Sequence, residues 1–563
     1  MNRYTVFHEN PQRHYVKIMF EARVTDKITE ICLPVWRPGR YELQNYAKNI
    51  KNFEVQDEAG NALTFKKVSK SVWHIYTIGA EFIRITYNYY AHALDAGASF
   101  FNHAQLYINP CNCMVYIAGR ETDTCELHVK VPDGYQVAIS LPFYEKNIYR
   151  AKDFHSLADS PFIASATLKK SSFEIGNSLV DLWFQGNFEY NEEKLLSDFE
   201  KYSRYQMNIF GDLPSKHYHY LFQMMPVKFH HGVEHMNNTV IAMGPDKNFD
   251  RTEFYNEFLG ISSHEFFHLW NVKRIRPEEM WPYDYTKENY STLGWIYEGV
   301  TTYYGDIALL RSDVFMFADW MPTFNKHLQK HFDNEGRYQY SVAESSYDTW
   351  LDGYTPGAPG RKVNIYTEGL LAAFILDIYI MKCTDNTRSL DDVMKEMYEY
   401  TWLKQKGYSE QTYRNIAEKI CGRKLDWYFD NVIHGRGYIE KYLPEMLAYI
   451  GLELEEQATD LIKNSCGFVY TNKETNLVVN QVWPSSPADI AGIDEDLIIT
   501  HINDTLASEY IWDHSINELK IKGTIQTEVV DFLIKTGEPI YYFDVKVKQL
   551  DLNNKNFVAW SKR

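Results

Sequence analysis

His264-Glu265-Phe266-Phe267-His268 sets two histidines four residues apart, and on a helix that spacing turns both imidazoles to one face, where they can close on a single metal ion. The glutamate between them then stands beside the metal. This is the pattern of zinc held next to a general base for water, able to cleave an amide bond at neutral pH. Five residues recur by chance, and a single imidazole on an apolar face is more often a satisfied core histidine than a ligand. The surrounding sequence has to carry the reading.

Working outward, Phe254, Phe258 and Ile261 recur at helical spacing and His264 and His268 continue their stripe, so both rings are expected to face inward. Asp250 with Glu253 has the form of a capping box that starts this helix, and the run is expected to end near Pro277. A zinc site needs a third protein ligand, with a fourth position left for water and substrate. Trp295-Ile296-Tyr297-Glu298-Gly299-Val300-Thr301-Thr302-Tyr303-Tyr304 supplies Glu298 within an aromatic segment that reads as a buried helix. A buried ionised carboxylate is costly unless something positive pairs with it, and metal ligation removes that cost. A half-exposed glutamate on an amphipathic helix is the plain alternative. Asp306 on the same helix is a candidate to orient a ligand imidazole, or else an ordinary surface aspartate.

With its continuation Leu269-Trp270-Asn271-Val272-Lys273-Arg274-Ile275-Arg276-Pro277 and the Glu298 to Tyr304 segment, the chain resembles the glycyl aminopeptidases of the gluzincin metallopeptidases. These are multidomain proteins with a thermolysin-like catalytic unit and a PDZ domain. His231-Gly232-Val233-Glu234-His235 is similar to the family's Gly-Gly-Leu-Glu-His segment, which implies that Glu234 grips the free amino terminus of a peptide. His231 stands for the first glycine and Val233 for the leucine, both where the first side chain of the substrate would lie beside Gly232. Tyr366-Thr367-Glu368-Gly369 resembles the family's Tyr-x-Lys-Gly segment, with Glu368 in place of the lysine, and implies that the Tyr366 hydroxyl faces the scissile carbonyl.

The resemblance implies one Zn2+ on His264, His268 and Glu298, Glu265 as the base, and removal of small amino-terminal residues, glycine or alanine, from peptides with a free N-terminus. Nitrogen and oxygen ligands would also accept cobalt or manganese. Two other readings stay open: a zinc endopeptidase on the same site, with Glu234 only packing, and a catalytically silent PDZ-type peptide-binding protein.

At 563 residues with 45% hydrophobic content, the chain is long enough for several domains with real cores. A net charge of -17 and a pI near 5.6 argue against nucleic acid or an anionic membrane as the main partner. No signal-like h-region and no bilayer-length apolar stretch is read, so the cytoplasm is expected, with the periplasm left open. Seven scattered cysteines without paired metal spacing suit a reducing compartment.

The expected fold is multidomain α+β. Residues 1-170 read as an all-β domain, because Val16, Ile18, Phe20 and Ala22 alternate, as do Ile83, Ile85, Tyr87 and Tyr89, and then Leu127, Val129 and Val131. Pro34-Val35-Trp36-Arg37-Pro38-Gly39-Arg40-Tyr41 interrupts them as a structural corner, and Arg37 or Arg40 could border the active-site cleft. Residues 171-455 are expected to form the mainly helical catalytic domain, thermolysin-like as the resemblance implies. From 456 to 563 a strand, strand, short helix, strand order with Ser486-Pro487-Ala488-Asp489-Ile490-Ala491-Gly492 resembles a PDZ domain, with a C-terminal peptide as its potential ligand.

Overall fold

The computed structural model describes the whole chain except residues 356, 461, 512 to 516 and 552. The alternating apolar residues of the first unit lie where period-two patterning sends them. Val16, Ile18, Phe20 and Ala22 are buried on Tyr15–Arg23, opposite Tyr89, Tyr87, Ile85 and Ile83 of the antiparallel strand Phe82–Tyr90. These two strands lie within a seven-stranded sheet, and two four-stranded sheets complete the unit.

The middle of the chain opens with a five-stranded sheet in the order Lys169–Ile175, Ser178–Gln185, His217–Met224, Asn238–Gly244, Phe229–Glu234. Phe229–Glu234 is the edge strand, antiparallel to Asn238–Gly244. Against this sheet and one another pack α1 (Glu192–Phe210), α2 (Thr252–Phe267), α3 (Thr301–Arg311), α4 (Phe317–Asp333), α5 (Ile365–Cys383), α6 (Leu390–Thr401), α7 (Glu410–Cys421) and α8 (Ile439–Tyr449). The central α5 is apolar on nearly every side, as a helix enclosed by others must be.

The helix carrying His264 starts later and ends earlier than its sequence suggests. Its N-cap is Arg251 with no side-chain cap, so the Asp250–Glu253 capping box does not form. It stops at Phe267, because beyond His268 the backbone curls through irregular turns, with Lys273 N–H donating to His268 O and Ile275 N–H to Trp270 O.

Phe468–Lys473, Asn476–Val482, Pro487–Ala491 and Ile498–Ile502 form a strand, strand, helix, strand succession with a separate small core of Phe468, Val479, Leu497, Ile499 and Ile521. The short helix ends at Gly492, whose φ of 84° favours a residue without Cβ. The chain then returns. Asp544–Gln549 pairs antiparallel with Leu452–Gln457, and Val545, Val547, Phe557 and Trp560 join the large core. A boundary spanning 456 to 563 therefore groups with the small unit a strand and a helix that pack on the large one. Among the described residues no helix is long and apolar enough to cross a membrane, and all seven cysteines are free thiols.

Trp560 is fully buried, donates its indole N–H to Tyr303 Oη at 3.1 Å, and its carbonyl accepts from Arg311 Nε at 2.8 Å. Trp560→Ala should cost the large core about 3–5 kcal/mol. Hydrogen exchange is the check: amides of α3 and α5 should speed up while those of the hairpin Phe468–Val482 do not.

Candidate metal centre

His264 sits in the last turn of α2 and His268 is the residue that caps it, so both rings leave the same end of one helix. Glu298 comes from Trp295–Val300, a π-helical segment that runs directly into α3. A π turn inserts one residue relative to an α-helix and so re-aims the side chains it carries. The three donor atoms converge: His264 Nε2 to His268 Nε2 is 3.1 Å, His268 Nε2 to Glu298 Oε2 is 3.5 Å, and His264 Nε2 to Glu298 Oε2 is 3.8 Å. Ligands bound tetrahedrally at about 2.1 Å lie about 3.4 Å apart, so the spacing fits one zinc-sized ion.

The tautomer fits as well. His268 Nδ1 lies 2.7 Å from Asn271 O, so its N–H is spent on a carbonyl and Nε2 is left with its lone pair towards the centre. Asn271 Nδ2 donates to Ile296 O at 2.9 Å and Thr301 Oγ1 at 3.0 Å, tying the His268 turn to the segment of Glu298. Tyr41, from the first unit, donates its hydroxyl to Glu298 Oε1 at 3.0 Å, which turns Oε2 inward. No spacing rule finds Tyr41, 257 residues away, although it ends the Pro34 to Tyr41 corner.

Glu265 is buried beside the centre, and burial pushes its carboxyl up to about 8, with His268 opposing. Its neighbour explains the glycine of the edge strand, because a Cβ at Gly232 would lie 2.1 Å from Glu265 Oε1. Glu234, two residues on, points the same way. It is 3% exposed, its Oε1 has no hydrogen-bond partner, and a carboxylate oxygen of it lies within 4.8 Å of donor atoms of Glu265 and His268. Strand alternation sends the intervening residues to the other face. Val233 is fully buried among Trp183, Leu221 and Tyr107, so it is core and not substrate-facing, while the half-buried His231 has Nδ1 3.8 Å from Asp95 Oδ1.

Tyr366 lies in the first turn of α5, its ring centroid 6.3 Å from that of His264 and its phenol beside Tyr354. Burial, and then Glu298, hold that phenol well above the usual range, so it keeps its proton and can donate. Tyr354 came from no motif. Its hydroxyl donates to Gly39 O at 3.4 Å. Asp306 does not bond either ligand imidazole; its Oδ2 faces His327 Nε2 at 3.7 Å, because α3 presents it towards α4.

Glu368, where the family resemblance leads one to expect a lysine, takes part in a buried charge cluster. His331 Nδ1 of α4 lies 2.7 Å from Glu368 Oε1, and Arg337 Nε donates to Glu440 Oε1 of α8 at 2.6 Å. Burial would lower the His331 imidazole, but Glu368 and then Glu440 outweigh it and raise it to about 9.

Two family matches cover parts of the chain. Residues 3–166 match the Peptidase M61 N-terminal domain, and residues 257–372 match the M61 glycyl aminopeptidase family. No curated protein matches. Among solved structures, an aminopeptidase N family protein from Idiomarina loihiensis is similar over 100% of both chains, with a TM-score of 0.91 at 22% identity, a likeness of fold. An M1 zinc metallopeptidase from Deinococcus radiodurans covers 77% of this chain and 93% of its own at 12% identity, with a TM-score of 0.46. A variant of it bound to a Tyr-Ser-Ala substrate gives 0.48 over the same shares of the two chains, also at 12% identity.

Gly232→Ala should push the Glu265 carboxylate aside, lowering kcat at least tenfold while bound zinc, read by metal analysis, stays at the native level. The His331 cluster gives a pH prediction. A folded value near 9 against about 6.5 unfolded means that its stabilisation is complete below pH 6.5 and is lost as pH rises through 9. Glu368→Gln should therefore destabilise by about 3 kcal/mol at pH 6 and much less at pH 9.5 in urea unfolding.

Proposed function

We propose that this chain, a metallopeptidase carrying both M61 domains, is a zinc-dependent aminopeptidase that removes small residues, glycine or alanine, from the amino terminus of peptides. The observation that carries this reading is the unpartnered oxygen of Glu234, buried beside Glu265 and His268. A buried carboxylate that the fold leaves unpaired calls for a cation, and the α-ammonium of a peptide supplies one at its chain end. Glu234 then sets the register of cleavage one residue in, and an internal peptide bond offers it nothing.

His264, His268 and Glu298 are the residues to hold one zinc ion. Zinc bound there supplies Lewis acidity, which makes water deprotonable near neutral pH and polarises a carbonyl. Glu265 takes the proton of the attacking water and returns it to the leaving amine, so one carboxylate serves both transfers. Tyr366 donates to the oxyanion as it develops. The edge strand Phe229–Glu234 offers a main-chain rail along which an extended peptide can lie. With Val233 in the core, the preference for a small first residue rests on the remaining walls of the cleft.

The small unit is read as PDZ-like, and a C-terminal peptide is its natural ligand class. Packing on the large unit is the better supported role, because Ser486 and Tyr541 crowd Gly467 in the loop that would receive a carboxylate, and Trp483 stacks 5.5 Å from the Arg337 guanidinium.

Glu265→Gln should lower kcat on alanyl and glycyl chromogenic substrates by about 10²- to 10⁴-fold with one zinc per chain retained. Native protein should cleave a free peptide and leave its N-acetylated twin intact. Equal cleavage of both peptides would replace this reading with an endopeptidase, and bound zinc with no cleavage of either would leave a silent binding protein.

A further inference from the structure

Arg37 is a buried cation with little hydrogen bonding of its own. It is 3% exposed, yet its guanidinium makes one hydrogen bond, from Nη1 to the carbonyl of the adjoining Pro38 at 3.2 Å, and no ion pair among the described residues. Three other buried cations are ion-paired. Arg311 lies 2.9 Å from Asp377, Lys273 2.8 Å from Asp159 and Arg337 2.6 Å from Glu440. Arg274 donates to three carbonyls and Asn237, and Arg276 stacks 4.0 Å over Tyr283. Burial opposes its charge, but Tyr46, Asp95 and Glu234, none of them ion-paired with it, outweigh that, so the guanidinium stays charged with donors left to bind an anion.

The space for that anion is present. Arg37 lines a cavity of about 350 Å³ with Arg40, Lys48 and His92, and the acid on its wall, Asp95, is already bonded through Oδ1 to Gly97 N–H and Ala98 N–H, each at 2.7 Å. Gly97 has no Cβ because Arg37 lies on it: one placed there would fall 1.9 Å from Nη2. The turn that carries Arg37 is also a wall of the metal centre. Its Gly39 backs onto the Glu234 carboxylate, since a Cβ there would lie 2.4 Å from Oε2, and its Tyr41 bonds Glu298.

We propose that Arg37 and this cavity form a subsite for a carboxylate of the peptide substrate, held by the planar guanidinium in a forked pair. The inference rests on the aminopeptidase reading, in which Glu234 places the first residue beside this turn. The carboxylate is either the side chain of an aspartyl or glutamyl residue that follows the small first residue or the free end of a dipeptide. Either way the substrate's two opposite charges are read by two neighbouring residues of opposite sign, Glu234 and Arg37.

Calorimetric titration of the full-length chain separates the sources. Ala-Ala is compared with Ala-Ala-amide, and Ala-Asp-amide with Ala-Asn-amide. In at least one pair the acid should bind at least tenfold more tightly, and Arg37→Met should shrink that ratio below twofold without weakening the neutral member. Ratios within twofold in both pairs for native protein overturn the proposal, as does a ratio that survives Arg37→Met. If Arg37→Met does not fold, the native comparison decides alone. Turnover of the neutral substrate alanyl p-nitroanilide is measured separately, so failure of the peptidase reading shows there and not in the binding ratios.

Discussion

Negative charge buried in one place is the constraint from which the rest of this architecture follows. Glu234, Glu265 and Glu298 are each at most 5% exposed and crowd a single centre, with two imidazoles and hydroxyl donors against them and the charges of Arg37 and Lys273 farther off. Such a cluster is unstable by itself, because like charges repel and desolvation penalises each of them. It persists only in a framework rigid enough to hold it and in the presence of cations that fit it. In the proposed reading those cations are a divalent ion and a substrate ammonium, which hydrolysis of an amino-terminal peptide bond brings together.

The framework is held rigid by backbones that come unusually close. A Cβ at Gly299 would lie 2.3 Å from Gly369 Cα, so the segment bearing Glu298 and the helix bearing Tyr366 touch main chain to main chain. Gly305 approaches His264 Cα in the same way, at 2.9 Å. Contacts of this kind transmit position with little slack, since no side chain stands between the elements to adopt another rotamer. The donor atoms are in this sense placed by residues that have no chemistry of their own.

The sequence carried the donor set more plainly than its surroundings. His264 and His268 were legible because metal chemistry demands particular residue types at helical spacing, Glu298 through the likeness of its segment to a family motif, and the alternating strands of the first unit because burial on one face demands period two. Tyr41 and Tyr354 were not legible, because a tyrosine among 43 carries no mark and its partner lies far off in the chain. Val233 was assigned to the substrate from a motif, although strand alternation with Gly232 and Glu234 already turned it the other way. Glu368 looked like a departure from pattern and proved to be one member of a charge cluster that the fold completes from α4 and α8. Spacing reveals what one element does alone; it is silent on what two distant elements do when they meet.

Pairing between Leu452–Gln457 and Asp544–Gln549 bears on how such a chain can be made. Residues 458 to 543 must leave the ribosome before the strand that closes the large core exists, and Trp560 arrives later still. The smaller body can collapse on its own core while its host waits unfinished. Synthesis thus delays the closing of the large core until the inserted body has emerged.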